Sequence, residues 1–456
     1  MKNLCRALML WAMLHLSGCA VLDPHDLVSR HVGNGPPPEG QALERPGREA
    51  AFDYVWQRIN DHYVDPNLRG VDWQAVRQRY RPLALNSPSD EAFWKILDDM
   101  SAELGDAHTR VMSSKQYAHY KKNQVLSLGL NLRELDGDLI VTGVHFLSEA
   151  GLLGVRLGQK LLSVDGVPAS QWWAAQRAKA RKSSTERASL KTAVGIFNRG
   201  EPDQGHQNVA LSLERADKSV LNVMLARAPL EVRAGVRAWK LTSGYGYLRL
   251  TGFELNLKSA ALTEMEKIKD TPGMIFDLRG NGGGALLLAQ SLAAQWLEGR
   301  VAAGRTITRD GKPIGLLFGL LGQQKLEFEI DGVPNPYRAP MVILIDADSA
   351  SASELLSATL QGLGRAKVVG ETSCGCLLGF LGLANIPGGG ALAYSELDFA
   401  TVGGKRIEGV GVQPDVAVRA SRSDLISGHD VQLEAALTLL DSMRKPNPVK
   451  PVPPQP

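Results

Sequence analysis

Between Gly244 and Gly370 the sequence alternates short apolar runs with helical ones, and this alternation limits the possible folds more than any other feature. Gly244-Tyr-Gly-Tyr-Leu-Arg-Leu reads as a strand, as does Gly273-Met-Ile-Phe-Asp-Leu, which leads through glycines into a helical run from Ala285 to Leu297. Met341-Val-Ile-Leu-Ile-Asp is a third strand, followed by a helix from Glu354 to Leu363, and Lys367-Val-Val-Gly is a fourth. Apolar strands with no polar face are covered on both sides, and a helix after each strand demands crossover connections. The expected architecture is therefore α/β. A last helix, Val431 to Met443, and a Pro-rich tail, Pro446 to Pro456, complete residues 426–456.

The preceding segments have different periods. Phe52, Val55, Trp56 and Ile59 form one helical stripe; Phe93, Ile96, Leu97 and Met100 form another, after a capping signal at Ser87-Pro-Ser-Asp-Glu91. Residues 48–122 thus read as a small helical domain. Near Asn123 the pattern changes to short alternating runs: Ser127-Leu-Gly-Leu-Asn-Leu, Asp138-Leu-Ile-Val-Thr-Gly-Val, and Gln159-Lys-Leu-Leu-Ser-Val with an Asp165-Gly166 turn. Ala150-Gly-Leu152 reads as a short helix. Gly129 through Val167 resembles a PDZ domain, which binds an extended peptide by adding it to a sheet edge. The resemblance assigns peptide binding to Leu128, Gly129 and Leu130. The whole is an α/β (α+β) multidomain chain: helical 48–122, PDZ-like 123–228, and an α/β core over 229–425.

At the N-terminus, Lys2 and Arg6 precede an apolar run, Ala7 to Leu16, of about ten residues, which is the secretory range and short of the roughly 20 that span a bilayer. Leu16-Ser-Gly-Cys19 resembles the bacterial lipoprotein processing box. That resemblance implies a signal peptide over 1–18, acylation (palmitate) at Cys19, and, with Ala20 next, sorting to the periplasmic face of the outer membrane. Acyl chains hold a protein stably at a membrane at about 0.8 kcal/mol per buried methylene. Residues 19–47, polar and carrying Gly35-Pro-Pro-Pro38, read as a flexible spacer. A net charge of +3 over 456 residues argues against a nucleic-acid partner.

Two turns carry the chemistry. In Asp346-Ala-Asp-Ser-Ala-Ser-Ala-Ser-Glu354 a serine lies between a buried strand and a helix N-terminus, where free N–H groups and the helix dipole favour developing negative charge. Ser351-x-x-Glu354 is equally a capping box on local grounds. Asp277-Leu-Arg-Gly-Asn-Gly-Gly-Gly284 likewise joins a strand to a helix, and its glycines let a substrate carbonyl approach the backbone. It lacks the Gly-Lys-Ser/Thr ending of a phosphate loop. One N–H from each turn would make an oxyanion hole.

These motifs, with Gly364-Arg-Ala-Lys-Val-Val-Gly-Glu, Ile407-Glu-Gly-Val-Gly-Val-Gln-Pro-Asp415, Ala102-Glu-Leu-Gly-Asp-Ala-His-Thr109 and Gly70-Val-Asp-Trp, resemble the tail-specific (C-terminal processing) and tricorn-type serine peptidases. The resemblance covers about Phe52 to Asp415. It implies a ClpP/crotonase-like core, Ser351 as nucleophile, and oxyanion donors at Ala352 and at Gly283 or a neighbouring glycine. The processing branch draws its base from a lysine whose place is taken here by Cys376, in Cys374-Gly-Cys376. A serine without a base is a poor nucleophile. The tricorn branch supplies a histidine and a glutamate, which map to His108 and Glu408. An imidazole takes and returns a proton near neutrality, and a carboxylate fixes its tautomer. The serine that precedes the tricorn histidine is Ala107 here, so Glu408 is expected to reach His108 directly or through water. The two cysteines are compatible with a disulfide, with free thiols or with metal binding, the last disfavoured by the lack of nearby histidines.

The resulting expectation is a lipid-anchored serine endopeptidase with a Ser351-His108-Glu408 site, a protein or peptide substrate, and no metal or cofactor. The alternative is an inactive peptide-binding scaffold lipoprotein of the same fold.

Overall fold

In the computed structural model, the residues described are 42–444 apart from 123, 146, 201–207, 232, 317–320 and 325, together with Leu27 and Arg30. The signal peptide, Cys19 and the Pro-rich tail lie outside them. Among the described residues no helix is long and apolar enough to cross a membrane. The chain divides into two compact units: residues 1–233, 302–329 and 375–411 form one, and 234–301, 330–374 and 412–456 the other.

The second unit is built on the apolar strands. Its six-stranded sheet runs in the order Val236–Lys240, Gly246–Leu250, Met274–Asp277, Met341–Ile345, Lys367–Gly370, Val416–Ala417. The first pair is antiparallel and all later pairs are parallel. Every residue of Met341–Ile345 is fully buried, as a strand covered on both faces requires. One covering element is the helix Val431–Arg444, whose Ala436 and Leu440 pack with Tyr245, Ile275, Val342, Leu344 and Val369. The helix expected from Ala285 to Leu297 is Leu286–Ala293 continued by a 3₁₀ turn, Ala294–Trp296, and the third strand is followed by Ala352–Gly362.

Among its described residues the first unit holds two cores. In one, the helices Arg45–His62, Trp73–Leu85 and Asp90–Ala102 bury Phe52, Val55, Ile59, Phe93, Leu97 and Met100 together. Ser89 is the N-cap of the third helix, its Oγ accepting the Ala92 N–H at 3.1 Å. Trp56 and Trp73 exchange indole-to-carbonyl hydrogen bonds at 2.9 and 3.1 Å. The second core belongs to a sheet ordered Leu130–Leu135, Asp138–Val144, Lys160–Val164, Val209–Glu214, Val220–Leu225. Two helices that the sequence pattern did not disclose, Ala169–Lys179 and Glu186–Arg199, cover it through Trp173, Ala193, Val194 and Phe197.

Arg30, inside the segment read as a spacer, is buried. Its guanidinium grips the Glu396 carboxylate with two hydrogen bonds, at 2.7 and 2.9 Å, and lies over the Tyr394 ring.

Candidate active site

The serine turn is shaped by its hydrogen bonds. Asp346 Oδ1, at the end of the buried strand, accepts the N–H groups of Asp348 and Ser349 at 3.0 Å each and that of Gly280 at 2.8 Å, so one carboxylate ties both turns together. Ser351 then sits at φ 55°, ψ −119°, a conformation that costs a non-glycine residue of the order of 1–3 kcal/mol. Its N–H is held by Glu354 Oε2 at 3.0 Å, and Glu354, fully buried, accepts Ser373 Oγ at 2.5 Å. The helix opens at Ala352, whose N–H lies in the first turn and has no acceptor within the helix.

The glycine turn abuts this serine. A methyl group on Gly283 (φ +93°) would stand 2.6 Å from Ser351 Cβ, 2.7 Å from Ala350 O and 2.9 Å from Ala352 N. Gly283, Ala352 and Ser351 therefore meet. The fully buried Asn281, which the motif reading passed over, makes that contact possible. Its Nδ2 donates to Leu250 O (3.0 Å), and its carbonyl accepts Ala350 N–H (3.0 Å) and Ser353 Oγ (2.9 Å). Its Oδ1 accepts the Gly283 N–H at 2.9 Å. The Gly283 amide is thus already engaged within its own turn. The signal was available: Asn281 is the one residue with a polar side chain among the glycines.

His108 and Glu408 belong to the other unit. His108 follows a turn anchored by the fully buried Asp106, which accepts the His108 N–H at 2.7 Å, Thr109 Oγ1 at 2.5 Å and Ser395 Oγ at 2.6 Å. The partly exposed imidazole leans against Phe380, ring centroids 6.2 Å apart. Burial pushes its pKa down, further lowered by Arg110 and opposed by Asp106, so the ring is neutral at neutral pH and able to accept a proton. Its Nδ1 is buried and has no hydrogen-bond partner among the described residues.

The Glu408 carboxylate is nearly buried and held by groups other than the imidazole. Oε1 pairs with Arg69 Nη1 at 3.0 Å; Oε2 accepts the Leu377 and Leu378 N–H groups at 2.9 and 3.3 Å. Burial raises its pKa, countered first by a hydrogen bond from Ser184. Ser184 Oγ also accepts the Ala107 N–H at 3.0 Å, so a hydroxyl from a distant segment touches both the Glu408 carboxylate and the residue before His108. Arg69 and Ser184 carried no recognisable motif: one occupies a left-handed position (φ 57°) inside the 3₁₀ turn Leu68–Gly70, the other a loop. Cys374 and Cys376 are disulfide-bonded, and a disulfide sulfur cannot serve as the missing base.

Residues 244–418 match the model of peptidase family S41, and residues 45–102 that of the tricorn protease C1 domain. The carboxyl-terminal-processing protease of Picosynechococcus sp. is 26% identical over 402 residues, spanning 85% of this chain and 87% of its own length. Putative tricorn protease homolog 2 of Streptomyces coelicolor is 26% identical over 415 residues, 87% of this chain but 32% of that one. Mature CPAF shares the fold at a TM-score of 0.66 and 14% identity, over 88% of this chain and 99% of that one. Motifs and matches agree: residues 244–418 form a peptidase family S41 domain, and the chain is a serine-type peptidase similar to the carboxyl-terminal-processing proteases.

Proposed function

We propose that this peptidase is a lipoprotein, acylated at Cys19 and held at the periplasmic face of the outer membrane, that cleaves peptide bonds through an acyl-enzyme on Ser351. His108 takes the Ser351 proton as Oγ attacks the substrate carbonyl, then gives it to the leaving amine. Water, deprotonated by the same imidazole, releases the acyl group and restores the serine. Negative charge on the carbonyl oxygen is met by the Ala352 N–H and by that of Gly283 once it leaves Asn281. Glu408 stabilises the imidazolium, with Ser184 and Arg69 fixing its carboxylate. The PDZ-like segment 123–228 receives a peptide end at Leu128, Gly129 and Leu130. The contact of Gly283 with Ser351, too tight for any side chain, carries the assignment of the nucleophile.

A serine-reactive phosphonate tests it. The protein labels at one site, Ser351→Ala does not label, and His108→Ala labels slower by about 10²–10⁴-fold, the usual worth of a general base. Undiminished labelling of Ser351→Ala overturns the nucleophile; undiminished labelling of His108→Ala overturns the base.

A further inference from the structure

Three backbone amides, those of Leu128, Gly129 and Leu130, would receive a peptide terminus in the PDZ-like reading, and all three already have acceptors. Leu130 opens the strand Leu130–Leu135, which lies at the edge of its sheet and pairs with Asp138–Val144. Its N–H donates to Asn198 Oδ1 at 3.1 Å, while its carbonyl accepts from Asn198 Nδ2 at 2.7 Å. Two antiparallel strands exchange the same pair of bonds at a hydrogen-bonded residue pair. The Asn198 carboxamide therefore copies one peptide unit of an added strand. The Leu128 N–H donates to the Asn198 backbone carbonyl at 3.2 Å. The Gly129 N–H donates to Ser127 Oγ at 2.9 Å, and that hydroxyl donates in turn to Asn198 Oδ1 at 3.3 Å.

This arrangement is buried and braced. Asn198 is 8% exposed and stands near the end of the helix Glu186–Arg199, where its Nδ2 also reaches Val194 O at 3.1 Å. The loop is pinned from behind: Gly129 O accepts the His145 N–H at 2.8 Å. The buried Arg227 donates to Phe197 O at 3.0 Å and Asn198 O at 3.2 Å, placing a guanidinium beside these amides. Three N–H groups and a cation suit a carboxylate, yet Asn198 of the same chain takes two of the three, that of Leu130 through its side-chain carbonyl and that of Leu128 through its backbone carbonyl, and Ser127 Oγ takes the third.

We propose that Asn198 is an internal ligand of this loop, and that a free peptide carboxylate enters only by displacing it. The proposal rests on the PDZ-like reading of 123–228. It makes the loop a gated receptor for peptide C-termini.

The test uses the full mature chain carrying Ser351→Ala, so that the probe is not cleaved, and a fluorescein-labelled octapeptide ending in three alanines, as the free acid and as the C-terminal amide. Fluorescence anisotropy reads binding. Adding Asn198→Ala tightens binding of the free acid by about tenfold, the worth of one or two hydrogen bonds, and leaves the amide behind. Ser127→Ala, which loosens Asn198 and frees the Gly129 N–H from the opposite side, gives a smaller gain in the same direction and covers the case in which Asn198→Ala fails to fold. If the parent already binds the free acid as tightly as both variants, Asn198 is not a competing ligand and the proposal falls while the PDZ-like reading stands. If no protein binds either peptide, the loop is not a receptor for peptide ends, and the PDZ-like reading falls with the proposal.

Discussion

Replacing Gly283 with alanine probes the contact on which the serine site depends. The new methyl would meet Ser351 Cβ at 2.6 Å, Ala350 O at 2.7 Å and Ala352 N at 2.9 Å, all inside the distance that carbon tolerates, and two of the three are backbone. The residue would also keep a φ of +93°, which costs an L-amino acid about 1–2 kcal/mol. Overpacking adds about 1–3 kcal/mol, so the loss of stability is about 2–5 kcal/mol. At about 2–4 °C per kcal/mol, the melting midpoint falls by about 4–20 °C. The chain can relieve the clash only by moving one turn from the other, and a shift near 1 Å costs catalysis about 10²-fold. Gly282→Ala is the internal control, since its methyl would meet nothing within 4 Å. Thermal unfolding and the rate of phosphonate labelling below the midpoint measure both effects. A Gly283→Ala protein that melts within 1 °C of the parent and labels at the parent rate would refute the reasoning (about 1 °C being less than 1 kcal/mol here).

Two further outcomes are expected. Because burial depresses the His108 pKa, the imidazole stays neutral to lower pH than a free one; activity appears as pH rises through that lowered value, so the acid limb of kcat/KM has its midpoint below the ordinary value of about 6.5. A midpoint above it in a pH–rate profile contradicts the role of His108 as base. Arg30→Ala leaves Glu396 buried and unpaired, which costs about 3–5 kcal/mol and is partly restored by Glu396→Gln; thermal unfolding that moves by less than about 2 °C shows that Arg30 does not anchor its segment.

The parts of the fold legible in the sequence were those with a strong period. Met341–Ile345 has no polar position, so it could only be an interior strand, and Phe52, Val55, Trp56 and Ile59 fall on one helical face. Helix Ala169–Lys179 was missed because it is largely solvated and buries only Trp173, and Glu186–Arg199 because three of its five buried residues, Ala188, Ala193 and Asn198, are small or polar. One boundary drifted because a turn precedes the ladder: Gly244 and Tyr245 look like strand residues, but Gly244 N–H closes back on Leu241 O and the ladder starts at Gly246.

At the site, the two motif turns named Ser351, Gly283 and Ala352 because local chain geometry is written in glycines and in the residues that flank a helix start. Residues that act through distant partners leave no such trace. Asn198 reads as one more polar residue ending a helix, and only the folded chain sets its carboxamide against Leu130. Arg69 and Ser184 reach Glu408 across hundreds of residues of sequence in the same way. Local conformation and burial period follow from side chains a few positions apart, so the sequence alone determined the strand–helix order from Gly244 to Gly370 and the serine turn. Which acceptor each buried amide and carboxylate finds depends on groups that come close only on folding, and that the tertiary structure alone decided.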